Sequence, residues 1–173
     1  MILRPATDED IPALARLGSE AFTAKFGHLY RPQDLAAFLA EYRTEAAFSR
    51  QLADRGTRIE LAEDEDGRLL GYALLVLGRG FDERPRPQPL RPATLSQLYC
   101  NPAATGKGIG AQLLAWTLAE ARAWRADAVQ LSVFSGNDDA QRFYRRHGFD
   151  KVADIHFWVG NQCDDEFLFE LRL

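Results

Sequence analysis

Between residues 94 and 125 the chain passes from an apolar, strand-like segment through Asn101-Pro102 into a glycine loop, Thr105-Gly106-Lys107-Gly108-Ile109-Gly110. A long amphipathic stretch follows. This junction limits the possible folds more than any other feature, because a strand that feeds a loop and then a helix is a building unit of a mixed α/β sheet. A helix N-terminus presents unpaired N–H groups and the positive end of its macrodipole. Phosphates bind there. Glycines let a phosphate approach the backbone closely, and Lys107 adds positive charge beside it. Two phosphate motifs are excluded. A Walker A loop needs glycine at position 101 and Ser or Thr after Gly-Lys, where this chain has Asn101 and Gly108. Gly106, Gly108 and Ala111 match a dinucleotide fingerprint only formally, since a loop separates them from their strand and too little chain follows for a fold of two halves.

The remaining pattern supports one mixed α/β domain over residues 1–173. Ile2–Arg4 reads as a short strand. Thr7 reads as an N-cap for a helix reaching about Phe22 to Lys25. Gln33–Ala40 and Thr44–Arg55 read as further helices, with Gly56 as a C-cap glycine. Arg58–Glu63 and Leu69–Leu77 form an expected hairpin around Glu65-Asp66-Gly67. Pro85, Pro87, Pro89 and Pro92 make Gly78–Pro92 an extended loop, more naturally a solvated connector than a lip over a site. Thr94–Cys100 is the next strand and Gly106–Arg125 a helix. Ala128–Phe134, Asn137–His147, Val152–Val159 and Glu166–Leu173 then read as strand, helix and two closing strands around an Asn161–Asp165 turn.

At 173 residues with 46% hydrophobic content, the chain can bury a core without disulfides or metal. Its net charge of −4 gives no footprint for nucleic acid or an anionic membrane. Cys100 and Cys163 form no CxxC pair. His28, His147 and His156 share no ligand spacing, so no metal site is expected. No signal peptide and no long apolar run is visible, which makes a cytoplasmic protein with reduced thiols the expectation.

A second segment, Asn137-Asp138-Asp139-Ala140-Gln141-Arg142-Phe143-Tyr144-Arg145-Arg146-His147-Gly148-Phe149, follows its own strand. Together the two segments, in this order, resemble the GNAT (GCN5-related N-acetyltransferase) family over at least residues 58–173. The family's cofactor loop is Gln/Arg-x-x-Gly-x-Gly/Ala opening a helix. Gly108 and Gly110 fill its glycine positions, while Thr105 departs from Gln or Arg. The resemblance implies a single, mixed, mostly antiparallel twisted sheet with splayed central strands, flanked by helices. It implies acetyl-CoA as co-substrate, held by Thr105, Gly106, Lys107, Gly108, Ile109 and Gly110, and by the backbone of Leu98, Tyr99 and Cys100. Asn137 is implied at the pantetheine arm and Tyr144 at the thioester sulfur.

A phenol suits that last position, because it stays protonated at neutral pH and can donate to a departing thiolate. A backbone N–H near Leu98 or Tyr99 would polarise the acetyl carbonyl. Cys100 reads as a small apolar residue, with direct transfer preferred over a thiol intermediate. Arg145 and Arg146 read as solvated helix charges rather than contacts to the 3′-phosphate.

The base is not evident. Ser96 and Gln97 stand where relatives carry Glu, so the proton leaves through water, through Glu60 or through His28. Ala21–Tyr30 and His156–Gln162 resemble the PaiA-related subgroup, which implies a small-molecule amine of polyamine type. Phe22, Phe26, Tyr30, Phe157 and Trp158 would be its walls, and Glu20, Asp34 and Glu41 its charge. A non-catalytic acyl-CoA-binding regulator, a peptide N-terminal acetyltransferase and a homodimer remain open.

Overall fold

The computed structural model describes residues 1–104 and 106–173. Among them, seven strands form one sheet in the order β1-β2-β3-β4-β5-β7-β6. The strands are β1 (Ile2–Pro5), β2 (Thr57–Glu63), β3 (Leu69–Leu77), β4 (Pro92–Cys100), β5 (Ala128–Phe134), β6 (Asp150–Val159) and β7 (Gln162–Arg172). Every neighbouring pair is antiparallel except β4 and β5. That one parallel pair requires a crossover, and α4 (Ile109–Ala123) supplies it.

Helices cover both faces. On one face Ile109, Leu113, Leu114 and Ala121 of α4 pack on Ala73, Leu75 and Val129, and α5 (Asp138–Arg146) adds Ala140, Phe143 and Tyr144. On the other, α1 (Ile11–Phe26) and α3 (Glu45–Ala53) bury Leu14, Leu17 and Phe48 against Ile59, Leu61 and Tyr72. There α2 (Pro32–Tyr42) brings Phe38 to Phe22 and Val159.

Local signals explain most boundaries. Thr44 caps α3 by accepting from the Ala47 N–H, and Asn137 caps α5 by accepting from the Ala140 N–H. Three expectations shift. Gly56 is not a left-handed cap; Asp54 ends α3, its carboxylate accepting from the Gly56 N–H. The cofactor-loop helix starts at Ile109 rather than Gly106, because Gly106 (φ 79°) and Gly108 (φ 74°) hold left-handed backbone that a helix cannot contain. The last turn lies at Gly160-Asn161, and β7 begins already at Gln162.

The proline loop is pinned rather than free. Arg84 pairs with Glu170 of β7 at 2.9 Å, their side chains 14% and 3% exposed. The Gln130 amide also donates to Glu170. Burial alone would push the Glu170 carboxyl up, but the donors Arg84 and Gln130 hold it below the usual range. Arg84→Ala is expected to lower unfolding free energy by about 1–2 kcal/mol, because Glu170 loses its two-pronged partner while Arg172 and Gln130 still donate to it. Chemical denaturation checks the loss, and turnover per folded molecule is expected to stay at the wild-type value.

Candidate active site

β4 and β5 pair only from Pro92↔Ala128 to Thr94↔Gln130. Beyond that point β4 runs on to Cys100 and β5 to Phe134 without pairing, so the two strands part. A bulge sharpens the divergence. Leu74 pairs with Gln97 while Leu75 pairs with Leu95, leaving Ser96 as the extra residue of β4. The edge of β4 from Leu95 to Cys100 thus faces β5 with unspent backbone groups, the kind of edge an extended ligand can join.

A cavity of about 170 Å³ occupies this wedge. Leu98 and Tyr144 reach it from the face that carries α4 and α5, and Phe22, Phe26, Tyr30, Tyr99 and Phe157 from the other, with Asn137 and Arg43 also in the lining. Tyr144 packs edge-on against Phe143 and Phe149. Burial raises its phenol above the ordinary value, and Tyr99 and Cys100 nearby push in the same direction. A phenol so placed stays protonated throughout the neutral range. Burial also raises the Cys100 thiol, which leaves it a poor nucleophile. The Asn137 side chain lines the cavity while its oxygen caps α5.

At the start of α4, a Cβ added to Gly106 or Gly108 would meet no atom within 4 Å. The loop backbone therefore lies open to an incoming phosphate, and Lys107 is exposed beside it. Cys100 Sγ lies 3.9 Å from where a Gly110 Cβ would stand. The start of α4 thus abuts the end of β4, whose Leu98 and Tyr99 line the wedge. Thr105 lies outside the described residues. These features fit a phosphate-bearing ligand with an extended arm.

Neither base named from the sequence reaches the cavity. Glu60 lies on β2, two strands from β4. Its carboxyl is pushed up to about 7 by burial and by Glu120. His28 sits in the turn after α1 and is not among the lining residues. The cavity instead contains Glu166 of β7, which pairs with Phe134 at the open end of β5. Burial raises its carboxyl, the nearby Ser132 hydroxyl opposes that rise, and its Oε2 is buried with no partner. Asp164, two residues along, is already engaged by the Tyr30 phenol and the Gln162 amide. Glu166 escaped the sequence reading because nothing in the order of segments says that β7 inserts between β5 and β6.

The acidic residues expected to hold a polycation lie elsewhere. Asp34 is buried, accepting from the Asn161 N–H and pairing with Arg31. Glu20 and Glu41 do not line the cavity, and Trp158 stands 61% exposed outside it. The proline loop contributes none of the described lining residues, which agrees with its reading as a connector. No helix among the described residues is long and apolar enough to cross a membrane.

The fold and the cavity are compatible with the acyl-CoA-dependent transferase that the two sequence segments imply, and comparison with known proteins establishes the class. The profile of the Acetyltransferase (GNAT) family matches residues 21–149. An N-acetyltransferase of Mycobacterium bovis is 32% identical over 159 residues, covering 92% of this chain and 95% of its own. The chain belongs to the GNAT acetyltransferase family, and its co-substrate is acetyl-CoA. A shorter match, 42% identical over 55 residues, links it to the aminoalkylphosphonate N-acetyltransferase of Salmonella typhimurium and covers 32% of this chain and 36% of that one. In fold it is similar to the PaiA N-acetyltransferase of Thermoplasma acidophilum, solved in complex with coenzyme A. The TM-score is 0.79, at 19% identity over 99% of this chain and 98% of that one.

Proposed function

We propose that this N-acetyltransferase moves the acetyl group directly to the amine of a small molecule, with Tyr144 as general acid and Glu166 as the proton acceptor. Acetyl-CoA supplies the acyl group and the thiol leaving group. The chain supplies the rest. The glycine turn and the N-terminus of α4 receive the pyrophosphate. The free edge of β4 near Leu98 and Tyr99 aligns the pantetheine arm and turns an N–H toward the carbonyl oxygen. Asn137 lies beside that arm. Tyr144 holds its proton where the thiolate departs, and Glu166 faces the amine across the cavity.

The observation that carries this reading is the placement of a protonated phenol and a buried carboxylate around one cavity at the strand divergence. Direct transfer is supported by Cys100, which is not among the described lining residues and whose thiol is raised above its ordinary value by burial. The likeness to PaiA and the aromatic walls Phe22, Phe26, Tyr30 and Phe157 support a polyamine; the lining supports it less. Among the described lining residues Glu166 is the one carboxylate, and Arg43 lines the same cavity. A substrate with a single reacting amine fits that lining better than an extended polycation.

The test is acetyl-CoA turnover, read as thiol release, over a panel of amino acids, aminoalkylphosphonates, polyamines and aminoglycosides. Acetylation of at least one class supports the reading. Coenzyme A binding without turnover of any amine would return the chain to a non-catalytic binding module.

The cofactor turn has its own prediction. Gly108 at φ 74° caps α4 in a left-handed conformation with open space around it, so a side chain there meets backbone strain rather than a clash. Gly108→Val is expected to cost about 1–2 kcal/mol of stability. It is also expected to weaken coenzyme A binding by about tenfold or more, since a β-branched side chain would crowd the phosphate approach. Thermal melting and calorimetric titration check the two effects.

A further inference from the structure

Arg43 follows the last residue of α2, where a cation is favoured by the helix C-terminus. Its guanidinium stands among three aromatic rings, 5.6 Å from the centroid of Phe22, 5.2 Å from Phe38 and 5.5 Å from Tyr99. These rings fix the plane of the group without neutralising it. Nη1 donates to the Tyr42 carbonyl at 3.1 Å and Nη2 to the Tyr99 hydroxyl at 3.4 Å. Nε is buried and has no acceptor. Among the described residues, no carboxylate lies within ion-pair distance of Arg43. Yet the side chain lines the same cavity as Glu166 and Tyr144.

A partly buried guanidinium held rigidly by rings, with donors left over and no anion of its own, is an incomplete ion pair. We propose that Arg43 is a specificity-determining residue, and that the substrates of this enzyme are small amines that also carry an acidic group, a carboxylate or a phosphonate. The inference rests on the acetyl-transfer reading above and gives its acceptor a chemical class. The acidic group of the substrate completes the fork of Arg43, which suits planar or tetrahedral oxyanions that accept two hydrogen bonds. The amine then projects toward Glu166, so the lining carries one charge of each sign for a substrate that does the same. A polyamine carries more than one ammonium, and Glu166 is the one carboxylate among the described lining residues, so a second ammonium would share the cavity with the Arg43 guanidinium.

The experiment compares matched acceptors that differ only in the acidic group. They are an α-amino acid against its amide, and 2-aminoethylphosphonate against ethanolamine, with spermidine as the polycation. Each is assayed with wild type, Arg43→Gln and Arg43→Lys, and coenzyme A affinity is measured separately. Wild type is expected to favour the acid-bearing member in kcat/KM by about 100-fold. Arg43→Gln is expected to lower that member by about 100-fold while the neutral partner stays within about threefold. Arg43→Lys falls between, since it keeps the charge and loses the fork. The amino acid and phosphonate arms distinguish the two oxyanions.

A merely structural Arg43 would lower both members together. That outcome overturns the proposal, as does a wild-type preference for the amide, ethanolamine or spermidine, and in both cases acetyl transfer itself stands. If coenzyme A binds and no amine of any kind reacts, the acetyl-transfer reading falls and the inference with it.

Discussion

Tyr144→Phe is expected to lower kcat by about 10²- to 10⁴-fold, the range for loss of a positioned general acid. Coenzyme A affinity is expected to stay within about threefold of wild type. The substitution removes one hydroxyl and keeps the ring, so the contacts to Phe143 and Phe149 survive and the α5 face still packs. The phenol is raised above its ordinary value by burial, by Tyr99 and by Cys100. It therefore remains protonated across the neutral and mildly alkaline range, and wild-type kcat shows no alkaline limb from Tyr144 there. Single-turnover rates with saturating acetyl-CoA isolate the chemical step from product release. A loss smaller than about fivefold in that rate is incompatible with an acid that contributes on this scale, and would move the proton to a water.

Much of this was legible from the sequence, for physical reasons that differ by element. The α4 stripe of Ile109, Leu113, Leu114 and Ala121 has helical spacing and faces the sheet as that spacing requires. Asn137 is a side-chain N-cap that announces α5, and the same helix carries Tyr144 to the cavity. Boundaries failed where tertiary contacts outweighed local preference. Residues 161–165 look like a polar turn, yet Asp164 is 6% exposed on a strand because the Tyr30 hydroxyl, far away in sequence, donates to it. Gly56 looks like a helix stop, but the Asp54 carboxylate ends the helix by local hydrogen bonding instead.

The cavity itself was half visible. Part of its lining comes from two contiguous segments, Leu95–Tyr99 and Asn137–Tyr144, and part from residues scattered over α1, the end of α2, β6 and β7. Arg43 reads in the sequence as an ordinary helix-terminal cation. Only the packing of Phe22, Phe38 and Tyr99 around it reveals a charge without a counterion. In the sequence, Glu20, Asp34 and Glu41 offer charge for a polyamine. Helical geometry turns Glu20 and Glu41 away from the cavity, and Asp34 spends its oxygens on the Asn161 N–H and Arg31.

Glu166→Gln is expected to lower kcat/KM at pH 7 by about 10²- to 10³-fold, with the deficit shrinking to less than about tenfold near pH 9.5. The reasoning is a proton balance. An alkyl amine titrates near 10, so at pH 7 only about one molecule in a thousand is free base. Glu166 must be ionised to accept the proton of the remainder. Burial raises its carboxyl above the ordinary carboxylate value, although the nearby Ser132 hydroxyl offsets part of that shift. Wild-type kcat/KM therefore rises with pH through the raised carboxyl and then levels until the amine itself deprotonates. In Glu166→Gln the carboxyl limb disappears, and the rate climbs steadily with the fraction of free amine up to the amine's own pKa. Stability supplies an independent check, because the isosteric amide relieves a carboxylate whose Oε2 is buried without a partner. The variant is expected to melt at or above the wild-type temperature, as when a group is kept for chemistry at some cost to the fold. A deficit that is equal at every pH, or a profile that keeps its carboxyl limb in Glu166→Gln, would assign the proton to water and leave Glu166 as a buried acid of the sheet.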